Sequence, residues 1–308
     1  MSTTSTTSKP SRRALVAAVV TAAVAVVTTA PAAVAAPRTH CPKPTAGHEK
    51  SVAVQVLKGV FERGDTKVVD RYVRPDYIQH NPTAPDGSAA LKTLATTVHQ
   101  QFPDARYDVK RVIAEGDLVL VHSNAVMTPG TRGTAVFDIF RFQKGKIAEH
   151  WDAEQDVPET TVSGHDMFAT LSAPRTDAPV PHADTAANKR VVTKFFDEVL
   201  VGHNVAAADK YVSAKTYYQH SPGFGDGLKD FKAGFEAYFS QFPNAVTLPK
   251  RVIAEGDLVA VHNNDKTSPD DRGNAVVDLF RVRNGKIVEH WDVTQAVPAT
   301  SANDNTMF

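Results

Sequence analysis

Five ionisable positions recur in two copies inside otherwise apolar stretches of this chain: His80 and His220, His122 and His262, Asp138 and Asp278, His150 and His290, Asp152 and Asp292. Burying such a group costs several kcal/mol unless it is paired, so these residues either satisfy one another or perform chemistry. The densest stretch is GKIAEHWD at 145–152, which returns as GKIVEHWD at 285–292. If Asp138 comes beside Asp152, two carboxylates in a dry pocket cannot both ionise cheaply. One then keeps its proton, leaving a base and a neutral acid near pH 7. That combination suits removal of a proton next to a carbonyl and reprotonation of the enolate, without a cofactor. The matching reactions are aldol-type ring closure or double-bond isomerisation of a small, largely apolar carbonyl compound.

The candidates for that catalytic chemistry are Asp152, Asp292, Asp138, Asp278, His150 and His290. The expected substrate-binding set is His80, His220, His122, His262, Phe140 and Phe280. Each has a plainer reading beside it. His80 and His220 stand in Q-H-x-P at a strand end, where a histidine often caps a loop carbonyl, and His122 and His262 follow L-V-x-V, as core histidines do. Phe140, Phe280, Trp151 and Trp291 fit sheet packing, and Glu149 and Glu289 fit salt bridges to Arg141 and Arg281 across a hairpin. His80, His122, His150 and Asp138 are all metal-ligand types, but their spacing matches no H-x-x-x-H or C-x-x-C signature, and no metal is expected.

The elements that must position these groups follow from periodicity. Val52, Val56, Val60 and Phe61 recur at helical spacing, Val68, Val69 and Tyr72 make a second short helix before Pro75, and a third helix runs from Ala89 to Gln101. Strand-like runs follow near 106–114, 118–126, 134–142 and 146–152, with turns at Glu115-Gly116-Asp117 and Lys144-Gly145. Helices followed by an antiparallel meander predict an α+β fold, with helices over one face of a curved sheet. In the last strand, strict alternation sets Ala148, His150 and Asp152 on one side and Ile147, Glu149 and Trp151 on the other. The hairpin register stays open. A three-residue loop Gln143-Lys144-Gly145 sets Asp138 opposite His150, whereas a two-residue loop Lys144-Gly145 sets it opposite Trp151.

The whole pattern is written twice. At an offset of 140 residues YIQHNP meets YYQHSP, QFPDA meets QFPNA, and RVIAEGDLV recurs, while DRYV meets DKYV at 139. A period this long means duplicated domains and not a solenoid. The expected organisation is an export signal at 1–35, a polar tail at 36–48, a first domain at 49–168, a Pro/Ala-rich linker at 169–187 and a second domain at 188–308. The signal reading rests on Lys9, Arg12 and Arg13 ahead of an Ala/Val run and an Ala33-Val34-Ala35 cleavage site, with Arg12-Arg13 also fitting a twin-arginine signal. These features predict a secreted protein with no membrane association after cleavage. The single cysteine, Cys41, allows no intrachain disulfide, and a formal net charge of zero speaks against a nucleic-acid partner.

The order of elements, together with RYVRPDYIQHNP, GDLVLVHSN, AVFDIFR and GKIAEHWD, resembles the SnoaL-like domains of the nuclear transport factor two superfamily, across both repeats nearly end to end. The resemblance implies two tandem cone-shaped α+β barrels that pair through their sheets as an intrachain pseudo-dimer. It also implies an acid/base carboxylate at the Asp152 position beside His150. Asp138 and Asp278 stand where the cyclases of this family carry a pocket histidine, a departure that touches the polyketide reaction itself. Two functions are expected from this basis: a cofactor-free cyclase or isomerase, or a non-catalytic extracellular module that holds a small apolar ligand.

Overall fold

The computed structural model describes residues 45–308; the expected export signal and Cys41 lie outside the described residues. The first repeat opens with α1 (Ala46–Phe61), whose N-terminus is capped by the Thr45 hydroxyl accepting from the His48 amide. It continues with α2 (Thr66–Tyr72), β1 (Val73–Gln79), α3 (Ser88–Gln101), β2 (Arg106–Glu115), β3 (Leu118–Val126), β4 (Thr134–Gln143) and β5 (Lys146–Asp156). The second repeat has α4 (Thr185–Phe195), running on into a π-helical stretch at Phe196–Val201. It is followed by α5 (Ala208–Tyr211), β6 (Tyr218–Gln219), α6 (Gly227–Gln241), β7 (Val246–Glu255), β8 (Leu258–Lys266), β9 (Asn274–Arg283) and β10 (Lys286–Ala296). Each repeat is an α+β domain with one five-stranded sheet, ordered β1-β5-β4-β3-β2 and β6-β10-β9-β8-β7.

The expected meander accounts for four strands of each sheet. The fifth, β1 or β6, adds in parallel along the outer edge of β5 or β10, so both sheets are mixed. This edge strand brings the QHNP and QHSP motifs against the GKI-x-EHWD strands.

Both faces of each sheet are covered, which explains why β4 is buried along almost its whole length. Val136, Phe140 and Phe142 join Val52, Val56 and Val60 of α1 in a core between sheet and helices. Phe137, Ile139 and Trp151 instead join Ile253, Leu258, Leu279 and Trp291 in a core between the two sheets. Around it, the Arg111 guanidinium lies 4.0 Å above the Trp291 ring and Arg251 lies 3.9 Å above Trp151, reciprocal cation–π contacts. Glu255 accepts from the Ala114 amide and Lys50, and Glu115 from the Ala254 amide and Lys189. The segment read as a linker is tied down: Arg111 binds the Phe168 and Ala169 carbonyls, and Glu289 accepts from the Leu171 and Ser172 amides.

The register differs from both sequence alternatives. The turn is the two-residue Lys144-Gly145, with Gln143 paired to Lys146 and positive φ at both turn residues. One residue later Ala148 bulges out of the ladder, so Arg141 faces Glu149, Phe140 faces His150, and Asp138 faces Asp152 directly. Val288 bulges in the same way in β10, and Asp278 faces Asp292. The bulge also reverses the phase of the strand, so Ile147, expected on the face away from the site, lines the same pocket as His150 and Asp152.

Candidate functional site

In the first repeat, Asp138, His150 and Asp152 converge beneath the helices, all three buried, with one oxygen or nitrogen of each within 4.8 Å of the others. His150 Nε2 lies 2.9 Å from Asp138 Oδ1, and its ring stacks on Phe140. The other carboxylate oxygen of Asp138 accepts from the Tyr107 hydroxyl at 2.6 Å. Tyr107 reaches inward because a second bulge, at Lys110, separates its phase from that of Arg111, which points toward the other sheet.

The proton on His150 can be placed by its partners. Gln79 Oε1 accepts from the Asn81 amide at 2.8 Å, which orients the carboxamide, and His150 Nδ1 sits 3.1 Å from that same oxygen. Nδ1 therefore carries a hydrogen. Nε2 then faces Asp138 either as the second N–H of an imidazolium or as acceptor from a protonated carboxyl, so one proton lies between the two groups in either case. Burial opposes the charged ring, but the Asp138 hydrogen bond and the Asp152 and Asp138 charges outweigh it and raise the His150 pKa. The first site thus holds one proton between His150 and Asp138, with the balance tilted toward the ring.

Asp152 is held on one side only. Its Oδ2 accepts from Asn81 Nδ2 at 2.8 Å, while Oδ1 is buried with no protein partner. Burial raises its pKa, opposed by the charge of His150 and reinforced by that of Asp138. Glu154 stands two residues on, exposed at the pocket opening. Burial of its carboxyl among the pocket walls, then the Asp152 and Asp138 charges, push it to about 8. Solvent at the opening screens part of that effect.

The second repeat keeps the frame and changes the details. His290 bridges Gln219 at 2.8 Å and Asp278 at 2.9 Å. Asn263 donates to Asp278 in place of a tyrosine, since Thr247 stands where the first repeat has Tyr107. Here burial lowers His290 to about 4 and raises Asp278 to about 7 and Asp292 to about 6, so the shared proton rests on Asp278. Thr294 replaces Glu154, and Asp265, raised by burial to about 7, supplies the extra carboxyl from β8.

The structure thus brings together Asp138, His150, Asp152 and Phe140, and likewise Asp278, His290, Asp292 and Phe280. The four other histidines expected to bind substrate lie on the opposite face of their sheets. His80 and His220 stack on Trp151 and Trp291 and bond to Glu149 and Glu289 and to the carbonyls of Thr306 and Asp166. His122 and His262 pair through Nδ1 with Arg111 and Arg251; burial, then the adjacent arginine, drives His122 well down and His262 to about 3. Alternation explains the correction: Gln79 and Asn81 flank His80, so when they face the pocket it cannot. Gln79, Asn81 and Tyr107 escaped the sequence reading, although the glutamine stands beside the histidine in both QHNP and QHSP. Nor can His80 and His122 share a metal with Asp138 and His150 through the sheet; Asp138, His150 and Asp152 are the ligand types that face one another, and a cation there would have to displace the His150–Asp138 hydrogen bond.

The model of the SnoaL-like domain matches twice, at residues 54–150 and 192–290, and the chain belongs to that family. No curated protein sequence matches it. Among solved structures it is similar to a proposed polyketide cyclase from Acidithiobacillus ferrooxidans, with 16% identity over 36% of this chain and 90% of that one and a TM-score of 0.30. It is also similar to TsrD from Streptomyces laurentii, with 17% identity over 36% and 90% and a TM-score of 0.31. A third is a proposed ketosteroid isomerase from Kribbella flavida, with 18% identity over 38% and 83% and a TM-score of 0.32. The family assignment stands on the two domain matches.

Proposed function

We propose that the protein is a cofactor-free acid/base enzyme of the cyclase or isomerase type, acting on a small, largely apolar carbonyl compound. The observation that carries this reading is Asp152 Oδ1, a buried carboxylate oxygen without a partner, beside a histidine whose protons are fixed and above an apolar pocket. Asp152 takes the proton from the carbon next to the carbonyl, and the electron pair of that C–H bond becomes the enolate double bond. The imidazolium of His150 offsets the new charge, and the Glu154 carboxyl supplies a proton to the enolate oxygen. In a β,γ-unsaturated ketone, Asp152 returns its proton to the γ carbon while the enol O–H goes back to Glu154 and the carbonyl re-forms, which completes an isomerisation. Alternatively, the enol carbon attacks a second carbonyl to form the ring C–C bond, Asp152 gives its proton to the oxygen of that carbonyl, and the enol O–H returns to Glu154, which completes a ring closure.

A test uses 2-tetralone, a two-ring ketone with acidic C–H positions, in deuterated water. Wild-type protein should speed exchange, and Asp152→Asn together with Asp292→Asn should abolish it. A wild-type protein that binds the ketone without exchange would instead be a holding module. That second reading is favoured by how fully Tyr107 and His150 satisfy Asp138, with Gln79 holding His150 from its other side, as a purely structural network would.

The sheet-to-sheet core pairs the two repeats as an intrachain pseudo-dimer. Residues 1–35 export the protein, so N-terminal sequencing of secreted material should begin near Ala36.

A further inference from the structure

The two pockets share a catalytic frame and differ in their walls. The first encloses about 540 Å³ and the second about 230 Å³. Pockets that bury a drug-sized ligand run from about 300 to 1,000 Å³, which places the first inside that range and the second below it. The difference traces to aromatic substitutions at equivalent positions of α3 and α6, where Leu91, Ala95 and Val98 become Phe231, Phe235 and Tyr238. The added rings pack as one body: Phe231 lies 4.7 Å from Phe235, which in turn lies 5.3 Å from Phe224. Phe224 replaces Ala84 and closes directly over Gly234, where even a Cβ would come within 2.6 Å of its ring. Gly234 stands mid-helix, at a position held by Leu94 in the first repeat, and a glycine there costs helix stability, so the helix has yielded space to the plug.

We infer that the repeats have divided the work: the first binds a ring-sized apolar ligand, and the second is closed to such ligands by the Phe224–Phe231–Phe235 plug. This deepens the acid/base reading by assigning its substrate to one pocket and rests on that reading for the chemistry alone. The polar end of the first pocket, with Asn81, His150, Asp152 and Glu154, takes the oxygen-bearing ring edge. Its apolar end, with Leu57 and Leu91, takes the hydrocarbon.

The probe is 2-naphthol, which has the shape of an enolised two-ring ketone and reports its environment by fluorescence; calorimetric titration counts the sites. One molecule should bind each wild-type chain. Leu91→Phe with Leu94→Phe should reduce this to none, and Phe235→Ala should raise it to two, with melting curves showing that each variant is folded. Two sites in the wild type, none in the wild type, or binding unchanged by the filled first pocket overturns the division. Deuterium exchange of 2-tetralone by the wild type is read separately from this count. One bound naphthol without exchange in the wild type would therefore sink the acid/base reading and leave this one standing.

Discussion

Each repeat traps a proton between a histidine and an aspartate, yet holds it differently. Burial dominates at His290 and sets it at about 4, whereas the Asp138 and Asp152 charges overcome burial at His150. Nitrogen-15 spectra at pH 6 should therefore show His150 as imidazolium and His290 as neutral imidazole; matching protonation states would contradict this assignment. A second consequence concerns stability. Asp292 is held at about 6 in the fold against an ordinary 3.8, so the folded protein binds a proton that the unfolded chain releases. Its contribution is complete below pH 3.8 and disappears as pH rises through about 6. Asp292→Asn should flatten that loss in urea midpoints measured across the same range. Removing the phenol in Tyr107→Phe leaves a buried Asp138 oxygen short of a donor and should cost about 1–3 kcal/mol in the same assay.

Among the elements, the hairpin β4–β5 decides whether the site exists. Its two-residue turn alone would set Asp138 opposite Trp151; the extra residue Ala148 moves it opposite Asp152 and turns His150 toward the helices. Deleting Ala148 should push His150 and Asp152 out of the pocket phase, with loss of deuterium exchange and of stability together. The equivalent β9–β10 turn, Asn284-Gly285, holds positive φ at both residues, a region in which glycine is the least strained. Gly285 has φ +72 and nothing within 4 Å of where a Cβ would stand, so Gly285→Ala should cost about 1 kcal/mol for its conformation alone. A chemical denaturation curve unchanged by that substitution would show the turn to be relaxed some other way.

For the whole molecule, the sheet-to-sheet core makes each repeat depend on the other. Trp291 and Leu279 of the second repeat pack with Trp151 and Ile139 of the first, and the arginine–tryptophan contacts run in both directions. Truncating a large buried ring at such a place should cost about 3–5 kcal/mol, so Trp151→Ala should lower the unfolding midpoint of both repeats in a single transition. Two separate transitions would mean that the sheets hold each other weakly. The C-terminal segment adds to this coupling: Asn303 donates to the Asn81 and Ala84 carbonyls, steadying the loop that carries the Asp152 partner of the other repeat.

Much of this was legible in the chain itself. The offset of 140 residues revealed the duplication, helical and strand periods located most of the elements, and ionisable residues in apolar runs singled out Asp138, His150 and Asp152. Those are local properties, written into consecutive residues. The facing of His80 and His122, the bulges at Ala148 and Lys110, and the parallel edge strand came only with the tertiary structure. Each depends on which face of a strand meets which neighbour, and a shift of one residue reverses that choice without altering local propensity. Pocket volume belongs to the same class, because Phe231 and Phe235 have equal claims to core or cavity until α6 is seated over its sheet and decides how much space they leave.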